Sequence, residues 1–332
     1  MSSYKKEIGT AVQNFAGDPA NPLTGQLWYD SDASEFKYQE QVTGNAWSTG
    51  NSMNTAKVFP GGAGTQTAAL AFGAFNPSTS ANTELYDGSS WTEVNNLNVA
   101  RGRMGSNGTS TSALGYGGAN PSISNQTESW NGTNWTAVAT LNTARQQLAG
   151  AGADNTSALA FGGFNPPTYY ANTESWNGSS WTEVADLNTA RRDLGGNGII
   201  TSALAYGGDT PGATAATESW NGSSWTDVAD LNTARRLAGA GTDNTNALGI
   251  GGETPGGASA LTESWNGSIW TETSDLNTAR QELGATGASN SSALAFGGSL
   301  NPPAVAFTEE WNAGINLGAW YTGGNLNTGR NN

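Results

Sequence analysis

TESWNGSSWTEVADLNTARR occupies residues 173–192, and TESWNGSSWTDVADLNTARR occupies residues 217–236. They differ only at Glu183 against Asp227. Such recurrence marks a repeat array, in which each unit buries its surface against the next. The closing tag returns as MNTAK at 53–57, LNVAR at 97–101, LNTAR at 141–145, 187–191, 231–235 and 276–280, and LNTGR at 326–330. The copies are spaced by 44, 44, 46, 44, 45 and 50 residues. Trp47, Trp91, Trp135, Trp181, Trp225, Trp270 and Trp320 each precede a tag, and six copies carry a strand ending in small residues, from ALAFGA at 69–74 to ALAFGG at 293–298.

Each unit reads as four short β-strands. Strand a follows the tag and is rich in small residues (LAGAG at 148–152, LGGNG at 194–198). Strand b is the TSALAFGG-like run, strand c is TESW, and strand d begins at the second Trp. Between c and d stands Asn-Gly or Asp-Gly (Asp87-Gly88, Asn131-Gly132, Asn177-Gly178, Asn221-Gly222, Asn266-Gly267). These dipeptides fit type I′ turns, where both central residues need φ > 0, so tight c–d hairpins are expected. Helical periodicity is missing. Four-stranded units of this length suit an all-β propeller, whose sheets bury their faces against one another and crowd small residues around the axis.

The blade count depends on the ends. IGTAVQNF (8–15), GQLWYD (25–30) and EFKYQ (35–39) precede Trp47 and would complete a first blade. That gives seven blades, the favoured count. The alternative is six blades from Lys57 to Arg330, with residues 1–56 as an arm. The favoured division is an attachment segment at 1–25, with the option of lending a strand to blade one, and a propeller at 26–332.

Composition excludes much. The 332 residues hold 13 Lys+Arg against 27 Asp+Glu, a net charge of −14. Phosphate neutralisation needs clustered cations, so no nucleic-acid partner is expected. No apolar run approaches the ~20 residues of a membrane helix, so no membrane insertion is expected. MSSYKKEIGTAVQNF (1–15) lacks the apolar core of a secretory signal, implying synthesis in a cytoplasm. There is no Cys and no His. Disulfides, Cys-based zinc sites, a His base and a Ser–His–Asp triad are therefore out of reach. No metal, cofactor or catalytic residue is expected.

A double Gly closing one strand, followed by an aromatic and then a Trp on the next two, resembles the kelch repeat over residues 36–330. The resemblance implies a kelch-like β-propeller of four-stranded blades. Two departures stand out: the first aromatic is mostly Trp (Trp130, Trp176, Trp220, Trp265, Trp311) and Tyr only at Tyr86, and the aromatic-to-Trp spacing is short. The stretch GDPANPLTGQLWYDSDASEFKYQ (17–39), together with the NGxxW and LNTAR tags, resembles tailed-phage (marine phage) virion and tail-fibre-associated proteins. That likeness implies a non-enzymatic virion structural or adhesin protein, with other virion proteins or host cell-surface polysaccharide as partners and an oligomer possible. A free lectin-like or protein-binding module of a bacterium is the alternative. Kelch-type oxidases use copper-binding His and a Tyr–Cys cofactor, which this chain cannot supply. Sialidase propellers carry hairpin boxes similar to DGSSW (87–91), but these are structural. Paired carboxylates can hydrolyse glycosides. Here Glu84, Glu128, Glu174, Glu218, Glu263 and Glu309 sit at repeated positions, as structural residues do.

Two sets remain as site candidates. The tag cations Arg101, Arg145, Arg191, Arg235, Arg280 and Arg330, with Lys57, form a ring, one per blade. They either bind anions or pair with the strand-c Glu residues as a structural ring. The b–c loops, by contrast, differ between copies, and they emerge on the same face as the tags. Their Asn76, Asn120, Asn165, Tyr169, Tyr170, Thr210, Thr254 and Asn301 are the candidate ligand-binding residues, with Tyr169 and Tyr170 the most exposed-looking aromatics. Sequons such as Asn177-Gly-Ser are read as by-products of the hairpin turn.

Overall fold

The computed structural model describes residues 13–16, 27–32, 34–75 and 78–322. All regular elements among them are β-strands. The chain divides into two compact units, residues 45–313 and residues 1–44 with 314–332. The larger is a β-propeller of six blades.

One blade shows how the repeat folds. Ala149–Asp154, Ser157–Phe161, Thr173–Trp176 and Trp181–Val184 run antiparallel, in chain order from axis to rim. Burial follows that order. Ala158 to Phe161 of strand b are all buried, because both faces of that strand meet neighbouring blades. Strand d buries only its Trp181 and turns Thr182 and Glu183 to solvent. The inner strands Gly61–Thr65, Gly105–Thr109, Ala149–Asp154, Gly195–Ile199, Arg236–Asp243 and Gly284–Ser289 touch in succession around the axis, the last meeting the first. Small residues are required there: a Cβ on Gly150 would stand 1.8 Å from the Tyr116 hydroxyl of the preceding blade.

The core is divided among the blade interfaces. Each of six apolar clusters joins two adjacent blades, as where Leu159 and Phe161 meet Ala203, Trp220 and Trp225. Each strand-c Trp packs on the strand-d Trp of its own blade, as Trp176 does on Trp181 at 5.4 Å between ring centroids. The strand-d Trp then reaches back one blade through its indole N–H. Trp135 donates to Thr83, Trp181 to Thr127, Trp225 to Thr173 and Trp270 to Thr217, at 3.0–3.1 Å. Trp47 donates to Thr262 at 3.1 Å, and Trp91 to Thr308 at 2.9 Å, which completes the circle.

Those last two bonds correct the expectation of seven blades. Blade six takes strands a and b from Gly284–Ser289 and Ser292–Phe296, and strand c from the start of Thr308–Thr322. Its strand d is the end of Glu35–Gly50, which brings Trp47 against Trp311 at 5.4 Å. Trp47 is therefore the outer Trp of the last blade, and among the described residues no blade stands ahead of the one that begins at Gly61. In the smaller unit, Gln13–Phe15 runs parallel to Leu27–Asp30, which pairs antiparallel with the start of Glu35–Gly50. Trp28 is fully buried there, and Lys37 donates to Asp30 at 2.8 Å. The Trp320 side chain and Arg330 lie outside the described residues.

The c–d turns also differ from expectation. Trp130 pairs directly with Trp135, leaving a four-residue loop. Only its Gly132 has positive φ (90°), so the turn is not type I′. The Asn131 side-chain oxygen instead accepts the backbone N–H groups of Thr133 and Asn134 at 3.0 and 2.9 Å. Asn closes the loop with its side chain, and Asp87 does the same toward Ser89 and Ser90.

Candidate functional site

The tag carries the chain from strand d of one blade to strand a of the next, and its polar groups converge on that next blade's strand-c Glu. Asn142 donates its backbone and side-chain N–H groups to Glu174 at 2.7 and 2.9 Å. Arg145 pairs with the same carboxylate at 3.0 Å and donates to the Ala160 carbonyl at 3.1 Å. Lys57–Glu84, Arg101–Glu128, Arg191–Glu218, Arg235–Glu263 and Arg280–Glu309 repeat the pairing. All six cations have no solvent exposure. Burial pushes Arg280 down to about 10, against the opposing pull of Glu309. No cation of this set faces an incoming anion.

Immediately after the tag the blades stop resembling one another. The second residue past each tag is Phe59, Arg103, Gln147, Asp193, Leu237 and Glu282 in turn. These positions form a circle about the axis, tied by backbone hydrogen bonds from blade to blade. Phe59 N–H donates to Glu282, Arg103 to Phe59, Gln147 to Arg103, Asp193 to Gln147 and Leu237 to Asp193, at 2.8–3.4 Å. The bonds hold Phe59, Arg103, Gln147, Asp193 and Glu282 at φ between 52° and 61°. A side chain in that left-handed region costs on the order of 1 kcal/mol, which Gly would avoid.

Within this circle lies an axial cavity of about 410 Å³. Its floor is Gly62, Ser106, Gly150, Gly196, Gly239 and Ala285, which it shares with a narrower space of about 90 Å³ toward the opposite face. The wall has two unlike arcs. On blades three to five most polar groups pair with one another, although Asp209 Oδ1 and Arg236 Nε are buried without a hydrogen-bond partner. Gln147 donates to both Asp193 carboxylate oxygens at 2.9 and 2.7 Å. Arg192 donates to Asp209 at 2.9 Å, and Arg236 lies 3.4 Å from Asp209 and donates to Glu253 at 2.5 Å. Burial pushes Asp193 up to about 6, against Arg192 and the Gln147 hydrogen bonds. Burial acts on Asp209 in the same sense, but Arg192 and Arg236 prevail and hold it below the usual carboxylate range.

The other arc, on blades six, one, two and three, is unsatisfied. No side-chain hydrogen bond among the described residues engages Glu282, Gln281, Arg103 or Gln146. Gln146 and Gln281 are each 7% exposed and hold an amide oxygen without a partner. Arg103 stacks on Phe59 at 4.9 Å and on Phe75 at 5.1 Å from the ring centroids. Burial raises the Glu282 carboxyl above its ordinary range, with Arg103 pulling the other way.

The b–c loop candidates lie outside the cavity wall. Asn76 falls outside the described residues. Asn120 accepts from Thr79 at 2.8 Å, and Asn165 donates to the Ala144 carbonyl at 3.3 Å. Thr210 and Thr254 turn back onto the Gly212 and Gly257 carbonyls of their own loops. Asn301 is exposed, with φ of 65°. Tyr170 is half-buried, and its backbone binds Gly163 and Arg191. Tyr169 comes nearest the cavity: it packs on Phe164 at 4.9 Å, meets Arg192 at 5.3 Å and donates to Asp209 at 3.2 Å. The large apolar side chains exposed on these loops are Phe75 and Phe307.

Sequence reasoning passed over the cavity wall. The signal was present in the pairs directly after the tags: Val58-Phe59, Gly102-Arg103, Gln146-Gln147, Arg192-Asp193, Arg236-Leu237 and Gln281-Glu282. No two pairs are alike, although each follows a nearly constant pentapeptide. No protein-family model matches the chain, and no curated protein matches it.

Proposed function

We propose that this protein is a non-enzymatic virion structural or adhesin protein, a kelch-like propeller whose tag-bearing face binds host surface glycan or neighbouring virion proteins. One observation carries the binding part of the reading. Strands, hairpins and the tag ion pairs repeat from blade to blade, whereas the b–c loops and the cavity wall do not. A scaffold kept regular by packing, with irregularity gathered on one face, is how repeat proteins present a recognition surface. The carboxylates of the repeat are engaged in structural pairs, which leaves no opposed acid–base pair for glycoside cleavage among them. The virion setting rests on the sequence likeness of residues 17–39 and of the tags to phage proteins.

Two experiments test the reading. Fluorescently labelled protein on an array of glycans and envelope polysaccharides should give a specific signal that falls in the Tyr169→Ala/Tyr170→Ala variant. Antibody against the protein should label purified particles. Binding without particle labelling would favour a free lectin-like module. Absence of both binding and labelling would overturn the proposal.

A further inference from the structure

The unsatisfied arc of the axial cavity has a definite chemistry. From blade six through blades one, two and three it presents the Glu282 carboxylate and Gln281 amide, the half-buried Phe59 ring, the Arg103 guanidinium and the Gln146 amide. Carboxylate accepts, guanidinium donates and the amides do both. One positive and one negative group leave the arc without net charge. A ligand with net charge would meet a like charge there, and the chain's overall charge of −14 further repels anions. A neutral polyol suits both partners, since each hydroxyl donates to a carboxylate or amide oxygen and accepts from a guanidinium or amide N–H. An aromatic ring among them supplies a surface for the apolar C–H face of a sugar ring.

The backbone points the same way. This chain has 46 glycines and places pairs of them where strand b meets the next tag in five of the six blades. At the circle around the cavity, where φ also favours Gly, it places Phe59, Arg103, Gln147, Asp193 and Glu282 instead. Side chains held in unfavourable backbone geometry at a pocket wall indicate a role for the side chains themselves. The cavity volume of about 410 Å³ is that of a small-molecule site rather than a macromolecular groove.

We propose that the axial cavity is a binding site for a single uncharged sugar residue, held by Glu282, Gln281, Arg103 and Gln146 beside Phe59. The ligand class rests on the reading of this face as glycan-binding; the position rests on the cavity alone. A terminal residue of a glycan chain would enter from the tag-bearing face, leaving the b–c loops to meet the rest of the chain.

The test uses the full chain and separates position from class. Saturation-transfer NMR and calorimetry would be run with neutral methyl glycosides (glucoside, galactoside, mannoside, rhamnoside) and N-acetylglucosamine. Glucuronic acid, N-acetylneuraminic acid and free phenylalanine serve as charged or zwitterionic comparisons. Glu282→Gly and Arg103→Gly remove the polar groups while easing the backbone, so both variants should fold with an unchanged or raised thermal midpoint. Ile269→Ser, in an exposed c–d turn on the opposite face, is the control. At least one neutral glycoside should bind, ~10-fold or more weakly to each Gly variant and equally to the control. A neutral glycoside whose binding survives both Gly variants but falls in Tyr169→Ala/Tyr170→Ala would overturn the axial site and leave the glycan-binding function standing. Binding of phenylalanine or the acids alone, lost in the Gly variants, would overturn the ligand class. Absence of any binding to the small sugars would overturn the proposal, and the array then decides separately whether the face binds glycans.

Discussion

Replacing Trp47 by Ala tests whether the ring is closed by a strand from the front of the chain. Trp47 is 6% exposed, packs on Trp311 and donates to Thr262. A buried Trp removes up to ~250 Å² from water, and at ~25 cal/mol per Å² the gross gain is about 6 kcal/mol. A realistic unfolded chain already hides part of that area, which brings the figure nearer 4–5 kcal/mol. Losing the indole also leaves the Thr262 hydroxyl without its donor, a further ~1 kcal/mol. Large-to-small changes at buried Trp cost about 3–5 kcal/mol when the site does not collapse. Trp225 makes the matching Trp and Thr contacts at an internal interface, with 5% exposure and a bond to Thr173 at 3.1 Å, and also packs edge-on against Phe161 at 4.9 Å, where the blade before Trp47 has Ile250. Trp47→Ala should therefore destabilise nearly as much as Trp225→Ala, with Trp225→Ala costing about 0.5–1.5 kcal/mol more for its Phe161 contact. The assay is urea unfolding followed by far-ultraviolet circular dichroism, which does not depend on the Trp being removed. A loss below ~1 kcal/mol for Trp47→Ala, beside a large loss for Trp225→Ala, would refute closure at blade six.

Three further outcomes are expected. Glu174→Gln leaves Arg145 buried without its counter-charge and should cost about 3–5 kcal/mol in the same assay, with Glu174→Leu/Arg145→Met costing less than the summed single changes. Lys57→Arg should stabilise by ~1 kcal/mol. The five arginines reach a strand-b carbonyl (Gly115, Ala160, Ala205, Gly249, Ala295) and Lys57 has no such bond; unchanged stability would count against it. Asp193 carries a carboxyl pushed up to about 6 from 3.8, so the folded state holds its proton more tightly than the unfolded state does. Its charge therefore costs nothing near pH 3.5 and progressively more up to pH 6, reaching about 3 kcal/mol above that. Arg192, Arg236, Asp209, Glu282 and Gln147 surround it. Asp193→Asn should match the parent near pH 3.5 and exceed it at pH 7.5, so a pH-independent difference would contradict the burial of this group.

Much of the fold was legible because the repeat writes each contact six times. The glycine-rich inner strand, the buried second strand and the Trp pair could be read from spacing alone. The blade count could not. Seven tags and seven outer Trp residues are present, but only six copies of the ALAFGG-type motif of strand b and of the TESW-type motif of strand c. Trp47 and Trp320 compete for one place, and linear order does not say which end of the chain fills it. The turn type was misread for a related reason: Asn-Gly fits both a two-residue turn and a four-residue loop closed by the Asn side chain, and the Trp–Trp pairing decides between them. The cation ring was legible through its matching Glu residues. The cavity wall was not, because attention went to loops that vary in length and content. The wall varies at only two positions per blade, beside the least variable segment of the chain.

The strand that completes blade six sets a schedule for synthesis. Trp47 leaves the ribosome 215 residues ahead of Thr262, the group its indole binds. At roughly 5–20 residues per second that interval is on the order of 10–40 s. For all of it a large aromatic surface has no blade to close. Blades one to five can stack as they emerge, each on the one before. The ring becomes a ring only when the newest part of the chain meets one of the oldest, so a nascent chain arrested short of blade six would be an open arc with two bare sheet faces.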